Sequence, residues 1–328
     1  MLIQALSLAA ISALSSSLAF AREPVLKLGS GIPLDRTKME MEATELTLES
    51  SDTYKIGDEW GKKAFRNGDL MDQPQLLRAA RATASLGGAT GFFLGVFNGE
   101  AVLATNHHVC PSLSACVGKQ ASFPLLGKQA RVVRSLGTWT EIDLSLVVVN
   151  LNARDISVLE SVAGNFDFVS NIKPGQLLFT AGFGIASNPM RRLVMNQDSD
   201  CKVFSNEGDF RLMADPDRLN PGTYETWSFA NGCDVSHGDS GSAMVDRKSG
   251  KPVGLIWTGK IPKSPIVQSS ERLDGLVGSD DTAVWSELSY AVPAVKIKEY
   301  LTNLIANGEL TEQDGATIGA VLGNVSIL

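Results

Sequence analysis

The sequence is short of histidine, of cysteine and of basic charge. Only His107, His108 and His237 occur in 328 residues, so chemistry that needs a base near neutral pH has few places to happen. The 29 Lys and Arg fall short of the 36 Asp and Glu, leaving a formal net charge of -7. No basic surplus is present to drive counterion-dependent binding to nucleic acid. Beyond Phe20 no apolar run is long enough to span a bilayer. His107, His108, Cys110 and Cys116 are soft ligands close in sequence, but the second closely spaced downstream pair that a zinc site prefers is missing. A structural calcium near Asp198 and Asp200 is the alternative, although two acids in a polar loop usually mean solvation. No metal and no cofactor are expected.

What is present is a globular composition, 44% hydrophobic and 20% charged, which excludes a disordered or collagen-like chain. At roughly 150 residues per domain the length allows about two packing units, although barrel folds also fill it as one. Residues 1–21 carry no charged side chain, and the apolar run from Leu2 ends in Ala19-Phe20-Ala21 ahead of Arg22. That is the pattern of a secretory signal peptide, although the usual Lys or Arg in front of the apolar run is missing. An uncleaved anchor is the alternative, weakened by Gln4 and by Ser7, Ser12, Ser15, Ser16 and Ser17. The expected location is secreted or periplasmic, with no membrane attachment after signal removal. An oxidising compartment permits disulfides, and four cysteines allow three pairings. Their positions favour Cys110 with Cys116, around a short loop containing Pro111, and Cys201 with Cys233 in the second half.

Residues 22–85 are charged and mixed, with Thr44 to Glu49 alternating like a strand and Gln75 to Thr83 reading as a short helix behind Pro74. Short β-rich runs punctuated by Gly, Pro and Asn then follow: Thr90 to Phe97, Glu100 to Thr105, Gln129 to Leu136, Leu144 to Val149, Gln176 to Phe183, Thr223 to Phe229, Ser242 to Val245 and Pro252 to Trp257. This pattern predicts a β-barrel or sandwich. The stripe Val295, Ile297, Tyr300, Leu301, Leu304 and Ile305 predicts a helix over Pro293 to Ala306, stopped by Asn307-Gly308.

Three segments bear chemistry. The apolar strand from Ala101 runs straight into His107-His108, which can hold an imidazole rigidly. Asp143 stands at the mouth of the apolar run Leu144 to Val149, where a buried carboxylate must find a donor, and an imidazole N–H would serve. In Gly238-Asp239-Ser240-Gly241-Ser242, flanking glycines let the backbone bend sharply and expose a hydroxyl. Each has a bland reading alone: a satisfied histidine, a turn-capping aspartate, a common Gly-Ser turn. Together they are the parts of an activated hydroxyl: Ser240 as nucleophile, His108 as base and Asp143 orienting the imidazole. The amides of Gly238 and Ser240 are the candidate oxyanion hole.

In order and in local pattern these motifs resemble the chymotrypsin-fold (trypsin-like) serine proteases, particularly the secreted bacterial branch that includes the glutamyl endopeptidases. Thr105-Asn106-His107-His108-Val109 resembles that branch's T-N-x-H-V, and Asp143-Leu144-Ser145-Leu146-Val147 its strand that begins at the acid. Gly238-Asp239-Ser240-Gly241-Ser242 resembles its nucleophile loop. The motif places the base directly before the valine, hence His108 rather than His107. The resemblance covers about Gly88 to Ile305 and implies an all-β fold of two packed six-stranded antiparallel barrels with a C-terminal helix and the site in the cleft between them. It divides the chain into a signal peptide (1–21), an N-terminal extension or pro-segment (22–85), a protease domain (86–306) and a C-terminal tail (307–328). The partner it implies is a protein or peptide substrate; nothing in the sequence speaks to oligomeric state.

Asp234 stands where trypsin-like enzymes keep the carboxylate that binds Arg or Lys, but Leu288 aligns with a pocket wall that is usually small. The competing reading is that Asp234 bonds backbone N–H groups and braces the nucleophile loop. His237, Trp257, Thr258 and Gly259 complete the candidate pocket, and Ile256 stands where glutamyl endopeptidases have a histidine. Asp239 needs compensating donors, which in zymogen-type relatives come from a newly freed α-amine. No Ile-Val-Gly-Gly occurs, Lys55-Ile56-Gly57 being the nearest imitation, so residues 22–85 are either partly released or permanently packed on the barrels. The rival functions are an esterase or lipase, whose G-x-S-x-G and residue order are absent, and a non-catalytic binding or scaffold protein retaining the fold.

Overall fold

The computed structural model describes residues 51–323 apart from 67, 216–224, 260, 261 and 263. The expected signal peptide (1–21) and the expected strand at Thr44 to Glu49 lie outside the described residues. Fourteen strands are described: β1 Lys63–Ala64, β2 Thr83–Leu86, β3 Ala89–Phe97, β4 Glu100–Thr105, β5 Gln120–Phe123, β6 Lys128–Trp139, β7 Leu144–Asn150, β8 Leu178–Gly182, β9 Val194–Asn196, β10 Arg211–Ala214, β11 Glu225–Asn231, β12 Ala243–Asp246, β13 Pro252–Thr258 and β14 Ser289–Pro293.

Six strands close a barrel in the order β2-β3-β4-β7-β6-β5. The near-continuous apolar run of β7 is buried from Leu144 to Val149 because the strand lies between β4 and β6. The start of β6 alternates instead, with Ala130 and Val132 inside and Arg131 and Val133 exposed. Phe93 and Phe123 meet edge-on within the barrel, their ring centres 6.4 Å apart.

The second half differs from the expected second six-stranded barrel. It is an eight-stranded antiparallel sheet in the order β1-β9-β8-β12-β13-β14-β11-β10. Isolated bridges from Leu177 to Lys202 and from Val203 to Asn231 span the space between β8 and β11. A two-residue bridge replaces the strand ladder that would close a ring, and the Cys201–Cys233 disulfide ties the same region. The other expected disulfide, Cys110–Cys116, is also formed. The edges are occupied by β1, from the N-terminal extension, and by β10.

The fold is also less purely β than the resemblance implies. Pro74 opens the helix Pro74–Arg81, whose Leu76, Ala79 and Ala80 are buried. The expected C-terminal helix spans Ala294–Ala306, and a second one, Glu312–Val321, follows it. The Thr311 hydroxyl caps the second, accepting the Asp314 N–H at 3.1 Å. This helix docks on the first barrel through Thr317, which donates to Glu100 at 2.9 Å, and through an ion pair of Asp314 with Arg134. No helix among the described residues is long and apolar enough to cross a membrane.

Ile318, on the inner face of that last helix, is fully buried. Truncating such a side chain costs about 2–5 kcal/mol. We expect Ile318→Ala to lower unfolding stability in urea by that order, and a change below about 1 kcal/mol would mean that the helix is dispensable to the core.

Candidate active site

The antiparallel pairing of β4 with β7 sets Thr105 opposite Ser145. The chain leaving β4 and the chain entering β7 therefore emerge at the same end of the barrel, which brings His108 to Asp143. Asp143 adopts a left-handed backbone conformation (φ 34°) that aspartate tolerates better than most side chains. The turn is held by the Asp143 N–H on the Thr140 carbonyl (3.1 Å) and by Asn106 Nδ2 donating to the Asp143 carbonyl (2.9 Å). The carboxylate is fully buried, with Oδ2 2.8 Å from His108 Nδ1 and Oδ1 accepting the His108 backbone N–H at 3.1 Å. Such a pairing keeps a proton on Nδ1 and makes Nε2 the basic nitrogen.

His107 points elsewhere. Its Nδ1 lies 2.6 Å from the Thr138 hydroxyl, which itself donates to the Cys110 carbonyl at 2.9 Å. Cys110 and Cys116 are bonded to each other and cannot act as zinc ligands. Asp198 is occupied by the N–H groups of Asp200 and Cys201. Among the described residues no group of three or more His, Cys, Asp or Glu is arranged to hold a metal.

The loop carrying Ser240 is bent by Gly238 (φ 94°) and Gly241 (φ 89°). A Cβ at Gly238 would stand 2.5 Å from the Phe183 carbonyl oxygen, and one at Gly241 only 2.1 Å from that of Thr90. Both positions need glycine for conformation and for space. Thr90 clamps the loop to the first barrel: its N–H donates to the Ser240 carbonyl (2.9 Å) and its hydroxyl to the Gly238 carbonyl (2.7 Å). The Thr90 carbonyl in turn accepts the Thr105 hydroxyl at 2.8 Å, three residues before His108. The loop and the histidine thus share one anchor. The N–H of Asp239 goes to Ser236 and that of Gly241 to Ile256. Among the described residues no protein acceptor is engaged by the amides of Gly238 or Ser240.

Two further buried carboxylates lie behind this loop, and both face the N-terminal extension. Asp239 pairs with Lys62 Nζ and accepts the N–H groups of Gly184 (3.0 Å) and Ser236 (2.9 Å). Asp234 accepts the N–H of Ile56 at 2.8 Å on one oxygen and that of Gly61 at 2.6 Å on the other. Its oxygens are thus engaged by backbone N–H groups of the extension, not by those of the Ser240 loop.

Of the remaining pocket candidates, Trp257 is buried in the second sheet, donating its indole N–H to Ser228 (2.9 Å) and stacking on Tyr290. Thr258 donates to Asp215 at 3.2 Å. Gly259 faces Val235 and Ser289, while Leu288 is fully buried. His237 is exposed and meets the ring of Tyr54 edge-on. Lys62 and Thr90 carried no signal as site residues. Lys62 is one of many charges in a mixed segment, and Thr90 is an ordinary strand residue until its partners are known.

Burial pushes the Asp234 carboxyl from its ordinary 3.8 up to about 8; Asp198 adds to this, while the N–H groups of Ile56 and Gly61 and the charge of Lys62 oppose it. Between those values the folded chain holds a proton that the unfolded chain has released, so this group makes stability fall as pH rises from about 4 to about 8. Urea unfolding of Asp234→Asn should show a shallower decline across that window than the unsubstituted protein, and identical slopes would contradict the assignment.

A family model described as a trypsin-like peptidase domain matches residues 89–255. No curated protein matches the chain. Among solved structures, the inactive form of the Rv3671c protease from M. tuberculosis H37Rv is similar at 15% identity and a TM-score of 0.46, over 73% of this chain and 97% of that one. The HtrA-type protease AlgW with a tripeptide is similar at 19% identity and a TM-score of 0.45, over 72% of this chain and 64% of its own. The stretch matched by the family model is just over half of the chain and contains His108, Asp143 and Ser240 together, and by that match this protein belongs to the trypsin-like peptidase domain family.

Proposed function

We propose that the protein is a secreted serine endopeptidase that hydrolyses peptide bonds through an acyl-enzyme on Ser240. The observation that carries this reading is the fully buried Asp143 carboxylate, which engages both the ring and the backbone N–H of His108. In the proposed reaction the Ser240 hydroxyl oxygen attacks the scissile carbonyl carbon and its proton passes to His108 Nε2. The negative oxygen of the tetrahedral intermediate accepts the amides of Gly238 and Ser240, a donor set in which each member is worth about 10²–10³-fold in rate. His108 then gives its proton to the leaving nitrogen as the C–N bond breaks. Water repeats the sequence on the acyl-enzyme, its proton going to His108, and the acid product leaves with the Ser240 hydroxyl restored.

The T-N-x-H-V block supports a place among the secreted bacterial enzymes that resemble glutamyl endopeptidases, and the leader-like residues 1–21 and two disulfides support export. The likeness does not reach the substrate pocket. Ile256 replaces the glutamate-recognising histidine, and the carboxylate of Asp234 is engaged by Ile56 and Gly61, which leaves it unsuited to select Arg or Lys.

A sulfonyl fluoride or organophosphonate should label Ser240 and stop casein digestion, with both effects lost in Ser240→Ala. Labelling that persists in that variant, or a folded wild-type protein that neither reacts nor digests casein, would remove the protease reading in favour of a binding protein on the same fold. Asp143→Asn should reduce kcat by about 10⁴-fold with little change in KM, because the imidazole is then held in the wrong tautomer.

A further inference from the structure

A carboxylate and an ammonium withdrawn from water hold each other in place only while both remain paired. The Lys62 and Asp239 side chains are 3% and 2% exposed and form such a pair. Asp239 is the residue before Ser240, and its carboxylate also accepts the Ser236 and Gly184 N–H groups and the Ser236 hydroxyl. It therefore links the nucleophile loop, the turn after β8 and the N-terminal extension through one buried anion.

Lys62 is itself firmly seated. The chain from Tyr54 to Lys62 lies against the loops of the second half: Gly57 N–H donates to the Val267 carbonyl (2.8 Å) and Asp58 N–H to the Ser270 hydroxyl (3.1 Å), and Ile56 and Gly61 N–H are held by Asp234. Tyr54 and Ile56 are buried, and β1 pairs with β9 from the next residue onward. The extension thus behaves as a strap whose last residue delivers a cation to the base of the nucleophile loop.

We propose that Lys62 is a positioning residue for acyl transfer: its ammonium, delivered by the docked strap Tyr54 to Lys62, holds Asp239 so that the Gly238–Ser240 turn presents both amides to the oxyanion. The inference rests on the reading of Ser240 as the nucleophile. Its consequence is a permanent strap in the working enzyme. Zymogen-type relatives obtain a cation at this place from a newly cut α-amine; here a side chain supplies it without a cut. Processing ahead of Tyr54 leaves the arrangement intact, whereas loss of residues through Lys62 leaves Asp239 without its cation and Asp234 without its backbone N–H donors.

Lys62→Met should lower kcat by about 10²-fold or more with KM changed only a few-fold, when kcat is normalised to folded protein measured by the thermal unfolding transition. Lys62→Arg, which keeps the cation, should recover much of that loss, and Lys63→Met at the exposed neighbouring position should leave kcat unchanged. A merely structural role would reduce the amount of folded protein and leave kcat per folded molecule as it was. Should Lys62→Met not fold, the wild-type protein decides: amino-terminal sequencing of phosphonate-labelled molecules should find the chain through Lys62 retained. A folded Lys62→Met with kcat within twofold of wild type, or labelling confined to molecules that have lost residue 62, overturns the proposal alone. Absence of labelling and hydrolysis in every form of the wild-type protein would instead overturn the protease reading on which it rests.

Discussion

Asp239 can be buried within the Ser240 loop because Lys62, the Gly184 and Ser236 amides and the Ser236 hydroxyl surround it. An unpaired carboxylate at that depth would either take up a proton or pull the loop towards water. The same constraint acts on Asp143, whose oxygens are met by His108, while Asp234, met by Ile56 and Gly61, is pushed by its burial towards the protonated form. Each of these buried carboxyl groups is met by chain that is distant in sequence. The requirement to pair them ties the extension, the barrel and the second sheet into one arrangement around Ser240.

Thr90 does the corresponding work on the other side of the loop. Its N–H and hydroxyl hold the carbonyls of Ser240 and Gly238, while its own carbonyl receives Thr105. The two glycines that let the loop pass so close to β3 carry no side chain that would collide with Thr90 or Phe183. The loop is therefore gripped from the barrel by backbone and hydroxyl hydrogen bonds and from the extension by an ion pair. A turn gripped on both sides resists the rearrangement that would misdirect its amides, which is the electrostatic preorganisation that acyl transfer depends on.

Much of the first barrel was legible because its strands are long and apolar, as Glu100–Thr105 and Leu144–Asn150 show. Shorter or mixed strands were not: Gln120–Phe123, Val194–Asn196 and Arg211–Ala214 have too few residues to reveal a period, and they exist because neighbouring strands offer them partners. The expectation of a second closed barrel failed for a related reason. Whether the segment around Lys202 and Val203 forms a ladder or single bridges depends on its partners in β8 and β11, not on its own composition. In the candidate site, His108, Asp143 and the Gly-flanked Ser240 stood out through their residue types and order. Lys62 did not, because a lysine in a charged segment looks solvated until its partner is seen to be buried, and the partners of Asp234 are backbone groups that leave no mark in a sequence.

The amino-acid order alone narrowed the candidate site, since so few histidines and one Gly-Asp-Ser-Gly loop leave little choice of candidate base and nucleophile, and a strand beginning at an acid demands a donor. It also marked the strands rich in valine and leucine, whose burial is dictated by apolar surface. Tertiary structure alone decided that Asp234 meets the Ile56 and Gly61 amides, that the second sheet stays open, and that the extension runs beneath the Ser240 loop with Lys62 against Asp239. The physical reason is common to all three. Hydrophobic burial is non-directional and can be read from composition, whereas the pairing of buried charges and backbone N–H groups is directional and is settled only when distant segments arrive at one place.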